Sequence, residues 1–280
     1  MVITKQTVKE KVNEQIARLE TGVEDLCANG DLANYLRTVA KFYNYSMFNQ
    51  LLIWTQNKDA THVAGFRAWE DKFNRYVQKG EKGMAILFPR FVKKEDRQDD
   101  DKPEPIGFGV GYVFDVSQTE GAPMPERPNW PELTSTTSNG QALLSLGCKL
   151  TEKYDLTIKF EQPSVKGARG SFHITNNVIT IDDTLSVDQQ AQVLMHELGH
   201  WKLRHQNESY IDLEYELEEV VVDSTAFVVC AYFDLDTAEQ DFYYVTNWAN
   251  ADIDVVKSQL RPISKLSREL INDLESEVTI

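Results

Sequence analysis

The stretch VLMHELGHWKLRH, residues 193–205, carries three of the five histidines in the chain. His196 and His200 stand four apart, with Glu197 between them. On a helix that spacing puts both imidazoles on one face, about one turn apart. Two ring nitrogens so placed reach a single tetrahedral zinc ion at about 2.0–2.1 Å. Glu197 is offset by one residue and falls beside the ion, where a carboxylate takes a proton from a water that the ion polarises. The competing reading is an ordinary polar helix on which the spacing is accidental.

A third ligand decides between them. His205 lies five residues past His200 with no glycine between, whereas the extended three-histidine pattern needs six and a glycine. It reads as a solvated histidine at a helix end. Downstream, LEEVVVDSTAFVVCAYFDLD places Glu219 and Asp223 four apart on a strongly apolar helix. A carboxylate there needs a partner or costs stability. Glu219 is therefore the expected third ligand, and Asp223, one turn on, is placed to orient a ligand histidine. The alternative is a Glu218/Glu219 pair that faces water. His173 reads as structural, and His62 has no partner visible in the sequence.

The elements that must carry these residues are legible in outline. Ser186 and Gln189 form an S-x-x-Q capping box that starts the histidine helix, and the chain reads as helical from there on. Ahead of it, GSFHITNNVITIDD reads as a hairpin with Asn176-Asn177 in a tight primed turn. A strand at LTIKFEQ and a helix near 139–153 precede that hairpin. Residues 5–41 read as helix, broken near Gly30, a plausible C-cap. YVQKGEKGMAILFPRFVKK turns to strand, with an apolar run from Met84 to Phe88. FGVGYVFDVSQT (108–119) resumes as strand and is expected to pair with 84–92 across a charged loop. Residues 120–135 form a proline-rich linker. The fold class is thus α+β in two domains, 1–119 and 136–280.

Composition narrows the classes. The chain of 280 residues is long enough for two modest cores. It holds no run of about 18 apolar residues, which excludes a helical membrane span, and its amphipathic start lacks a signal-peptide core. Three widely spaced cysteines fit reduced thiols, and the expected location is the cytoplasm. The net charge of −15 is uneven: residues 1–94 carry 15 Lys and Arg against 10 Asp and Glu, the remainder 14 against 34. A mildly basic front suits a polyanion; the acidic back does not.

The front also interleaves aromatics with cations between Tyr43 and Lys82. Single-stranded nucleic acid is held in this way, with bases stacked on rings and Lys or Arg along the phosphates. Aromatics at such spacing also simply build a core, and the pattern alone leaves both readings open. Phe48, Leu51, Leu52 and Ile53 are expected to pack inside, and Tyr45, Arg67, Trp69, Lys79 and Lys82 to meet DNA.

Two resemblances sharpen these readings. The hairpin, H-E-L-G-H and E-x-x-x-D-S-x-A-F-V-V over 137–250 resemble the zincin-like metallopeptidase domain of the ImmA/IrrE type. N-x-L-L-I, A-G-F-R-x-W and V-x-K-G-E-K-G-x-x-I-L over 8–119 resemble the single-stranded-DNA-binding domain of ArdC-like antirestriction proteins. The second departs from its family in the acidic insert at 93–107, which would repel DNA locally. Together they imply a gluzincin-type zinc site with His196, His200 and Glu219 as ligands, Glu197 as base and Asp223 in support, although the family often has Glu at that last position. They also imply single-stranded DNA as partner, and protection of incoming DNA on a conjugative element. A host restriction or regulatory protein would be the peptide partner. The alternative is a zinc peptidase that cleaves a regulatory protein, with the front domain as DNA sensor.

Overall fold

A computed structural model describes residues 6–29, 31–91, 105–124, 139–165, 167–206, 215–235, 237 and 253–278. Its contacts divide the chain into two units, Met1–Leu26 with Tyr45–Pro125 and Cys27–Asn44 with Glu126–Ile280. Gly30 and most of the proline-rich stretch lie outside the described residues.

In the first unit, α1 (Val8–Asn29, this unit's up to Leu26) precedes α3 (Met47–Gln56). Ser46 caps α3 by accepting the Asn49 N–H. Leu51, Leu52, Ile53 and Trp54 of α3 are buried. Then follow β1 (Val63–Gly65), α4 (Phe66–Phe73), β2 (Arg75–Val77), β3 (Met84–Phe91), β4 (Pro105–Asp115) and β5 (Thr119–Gly121). β4 is central in an antiparallel sheet of order β1-β4-β3, so the expected pairing of 84–92 with 108–119 is present. The β2–β5 ladder was not foreseen. Strands of three residues are too short to show a period.

The outer edge of β3 is met by side chains of α3. The Asn49 amide donates to the Leu87 carbonyl at 2.8 Å and accepts the Leu87 N–H at 2.9 Å. Gln56 does the same for Ala85, at 3.0 and 2.9 Å. At the end of β4 the buried Asp115 carboxylate accepts N–H groups from Thr61, His62 and Ser117 at 2.7, 3.1 and 3.0 Å. Burial opposes its ionisation, but these donors hold its pKa below the usual value.

The second unit contains α2 (Leu32–Lys41), α5 (Asn139–Lys153), β6 (Thr157–Phe160), β7 (Gly170–His173), β8 (Val178–Ile181), α6 (Val187–Gln206), α7 (Tyr215–Tyr232) and α8 (Ile253–Ser276). α2 packs on α7, with Leu32, Tyr35, Leu36 and Val39 buried, so by contacts residues 27–44 group with this unit, while the sequence reading runs 1–119 as one domain. The small sheet has the order β6-β8-β7, with β6 parallel and β7 antiparallel to β8. His173 pairs with Val178, so residues 174–177 close the hairpin, and among them only Asn177 takes a left-handed φ, 51°. The expected two-residue primed turn is replaced by this longer loop. α6 packs against α5 and α7 and touches both hairpin strands. Its capping box forms as read: Ser186 Oγ accepts the Gln189 N–H at 3.4 Å, and Gln189 Oε1 accepts the Ser186 N–H at 3.1 Å. Lys202, buried on α6, pairs with Asp273 on α8. Among the described residues no helix is long and apolar enough to cross a membrane.

Candidate metal centre

α6 and α7 bring the chemistry together. Gly199, inside the histidine motif, faces α7: a Cβ there would lie 3.0 Å from Val222 Cγ1. The helices therefore approach closely one turn from Glu219. His196 Nε2 and His200 Nε2 stand 3.0 Å apart. The oxygens of Glu219 lie 3.6 Å from the first and 3.4 Å from the second. A tetrahedral ion with bonds of 2.0–2.1 Å has ligand–ligand edges of about 3.3 Å. The separations of 3.0, 3.4 and 3.6 Å bracket that edge, with a different Glu219 oxygen nearest each histidine.

Behind each imidazole is a carboxylate. Asp223 Oδ1 lies 2.8 Å from His196 Nδ1. Glu218 Oε1 lies 2.8 Å from His200 Nδ1 and also accepts from Arg204 Nε at 3.1 Å. With each Nδ1–H donating to its carboxylate, both Nε2 lone pairs turn toward Glu219. Such a cluster of acceptors repels itself unless a proton or a cation sits among them, so the residues present fit a divalent ion. Burial alone would lower the His200 pKa, but its hydrogen bonds to Glu218 and Glu219 raise it to about 9. Glu218 is lowered in turn by its bond to His200.

Glu197 is buried, 5% exposed, with its Oε1 beside Gly170 of β7. A Cβ at Gly170 would come 2.8 Å from its Oε1, so only glycine lets that strand lie here. The carboxylate accepts a backbone N–H from Phe172, yet burial, its largest influence, raises its pKa. A carboxylate held so is a stronger base than one in water.

Other sequence expectations fare differently. Glu218 and Glu219 do not form a water-facing pair, since each side chain is about 15% exposed and engaged. The role of Glu218 was missed; the clue was the doublet itself, which with Asp223 supplies one carboxylate per histidine and a third for the ion. His173 is exposed at the end of β7, and is not a packed structural histidine. The side chain of His205 lies outside the described residues. Arg67, Lys79 and Lys82 are exposed and free to meet a polyanion, and Tyr45 is half-buried with its hydroxyl 3.4 Å from the Val63 carbonyl. Trp69 must be corrected: it is 1% exposed, and its indole N–H donates to the Phe114 carbonyl at 2.9 Å. A ring so buried cannot stack on a base. Phe48, expected inside, is 41% exposed. Phe66, within the interleaved stretch but not among the expected contacts, is exposed, as are Phe88, Phe108 and Tyr112, which sequence reasoning passed over.

Residues 5–120 match the family described as the N-terminal domain of anti-restriction factor ArdC, and residues 151–243 match the IrrE N-terminal-like domain. An uncharacterized protein of Bacillus anthracis is 26% identical over 323 residues, covering 99% of this chain and 53% of its own length. The chain thus spans about half the length of that relative. The metal-free crystal structure of the antirestriction protein ArdC from plasmid R388 aligns with a TM-score of 0.54 at 19% identity, over 84% of this chain and 85% of its own. The Mn(II)-bound structure of the same protein aligns at 0.57 and 16%, over 93% and 98%. At such identities the likeness is one of fold.

Proposed function

Starting from a chain that joins an ArdC-type N-terminal domain to an IrrE-like domain, we propose a cytoplasmic antirestriction protein of a mobile element. Its first unit holds single-stranded DNA, and its second carries a zinc-dependent peptidase site. The observation that carries the enzymatic half is the convergence of His196, His200 and Glu219 with a buried Glu197 beside them. Two imidazoles and one carboxylate suit zinc with one position left open. The Mn(II)-bound state of the R388 protein makes manganese the alternative ion, and metal analysis of the purified chain separates the two.

When bound, the ion supplies Lewis acidity toward a carbonyl oxygen and lowers the pKa of a water. Glu197, a carboxylate that burial has made more basic, would hold a water's proton there and hand it to the leaving amine. Asp223 and Glu218 fix the tautomer and the tilt of the two histidines. The target is a peptide bond in a host restriction or regulatory protein.

The test is Glu197→Gln, which keeps every proposed ligand. Metal content is expected to remain while protection of unmodified incoming DNA is lost. If protection is unchanged, the site only staples the second unit and the hydrolytic reading fails. The IrrE-like match favours one second reading, a peptidase that cleaves a regulatory protein with the first unit as DNA sensor. It requires cleavage of a defined protein only when single-stranded DNA is present.

A further inference from the structure

The β1-β4-β3 sheet of the first unit has an uncovered face. By register, Phe108, Val110, Tyr112 and Phe114 alternate along β4 and share that face with Pro89 and Leu87 of β3 and Ala64 of β1. Ala85 on the same face is buried at 5% exposure, so the open part runs from Tyr112 toward Phe108. The opposite face turns Met84 and Val113 into the core, at 5% and 3% exposure. On the open face Phe108 and Tyr112 are 50% and 49% exposed. Phe66, at the start of α4 and 58% exposed, extends the row, its ring centred 6.1 Å from that of Phe114. Large rings are normally buried, so a row of them in water marks a contact surface.

Charge and spacing narrow the occupant. From Met84 to Phe91 and from Pro105 to Phe114 the only charged residue is Arg90, so no carboxylate interrupts the face. Cations stand at its margin. Arg67 follows Phe66, and Lys82 precedes Gly83, where a Cβ would lie 2.9 Å from both Tyr112 Cβ and the Phe114 ring. Phe108 and Tyr112 stand four residues apart on β4, about 13.6 Å along an extended strand, with Val110 between them. Bases stacked in a duplex rise about 3.4 Å, so this row suits a strand whose bases are drawn apart and exposed.

We propose that the open face of the β1-β4-β3 sheet, with Phe66, Phe108 and Tyr112 as stacking platforms and Arg67 and Lys82 on the phosphates, is where the first unit binds single-stranded DNA. The inference rests on the DNA-binding reading above and adds the surface, in place of Trp69 and Tyr45. Phe88 provides the internal control. It lies on the other face, folded over Gly109 at 2.5 Å from the position of an added Cβ, and is itself 46% exposed.

The experiment titrates a fluorescein-labelled oligothymidylate with the full chain, monitoring anisotropy. Phe108→Leu and Tyr112→Leu keep apolar side chains on the strand but remove the stacking ring; each is expected to weaken binding about tenfold. Tyr112→Phe and Phe88→Leu are expected to stay within about twofold. Circular-dichroism melts check folding, and valine replaces leucine at any position where the variant melts early. Normal wild-type binding with unaffected Phe108 and Tyr112 variants overturns the surface and leaves the DNA reading standing. Loss on Phe88→Leu alone moves the site to the other face and also overturns it. No binding of single strands by the wild type, or tighter binding of duplex, removes the DNA reading and this surface with it.

Discussion

At the residue scale the centre is two histidines, each held from behind by its own carboxylate. Truncating either support, as Glu218→Ala or Asp223→Ala, is expected to weaken metal binding about 10- to 100-fold, read by competition with a chromogenic chelator. If Glu218 faced water, its variant would bind metal as the wild type does. Proton and metal also compete. In the metal-free protein His200, with a pKa of about 9 against an ordinary 6.5, contributes stability that is full below 6.5 and fades as pH rises through about 9. An incoming ion must displace that proton. Apparent metal affinity is therefore expected to rise with pH until about 9, and the loss of stability above neutral pH should vanish in the loaded protein. His196, Glu197 and His200 were legible because the motif is local. Glu218 was not, because its task depends on which side of α7 meets α6.

At the element scale the long, strongly periodic pieces could be read and the short ones could not. The capping box placed the start of α6, and the apolar runs placed the β3–β4 pair. α2 packs on the second unit although the ArdC-type match of residues 5–120 runs through it, because an amphipathic pattern shows that a helix packs and not what it packs on. Phe48 and Trp69 exchanged expected places for the same reason. Asp115 shows how one side chain joins elements, since it ties the approach to β1 to the turn after β4. Asp115→Ala is expected to cost about 2–3 kcal/mol, measured by urea unfolding of the full chain. Because its folded pKa is depressed, the wild-type contribution is present above the ordinary carboxylate value of 3.8 and is lost as pH falls through the lower folded value.

At the scale of the whole molecule the uneven charge sets what each half can meet. The acidic run at 95–101 follows directly on a mildly basic front and lies in the connection between β3 and β4. Changing Asp99, Asp100 and Asp101 to Asn is expected to tighten single-stranded-DNA binding several-fold at low salt, with the gain shrinking as the Debye length falls from about 30 Å to 8 Å. Titrations at two ionic strengths check it; a gain that persists undiminished at high salt would exclude simple repulsion. The clasp of Asn49 and Gln56 on β3 has a consequence of another kind. A bare strand margin is a template on which another chain can add itself, the route to domain swapping and amyloid. Here the Ala85 and Leu87 positions of that margin are already satisfied by amides from within the fold. An apolar, aromatic-rich ribbon can thus stay soluble while leaving its rings in water.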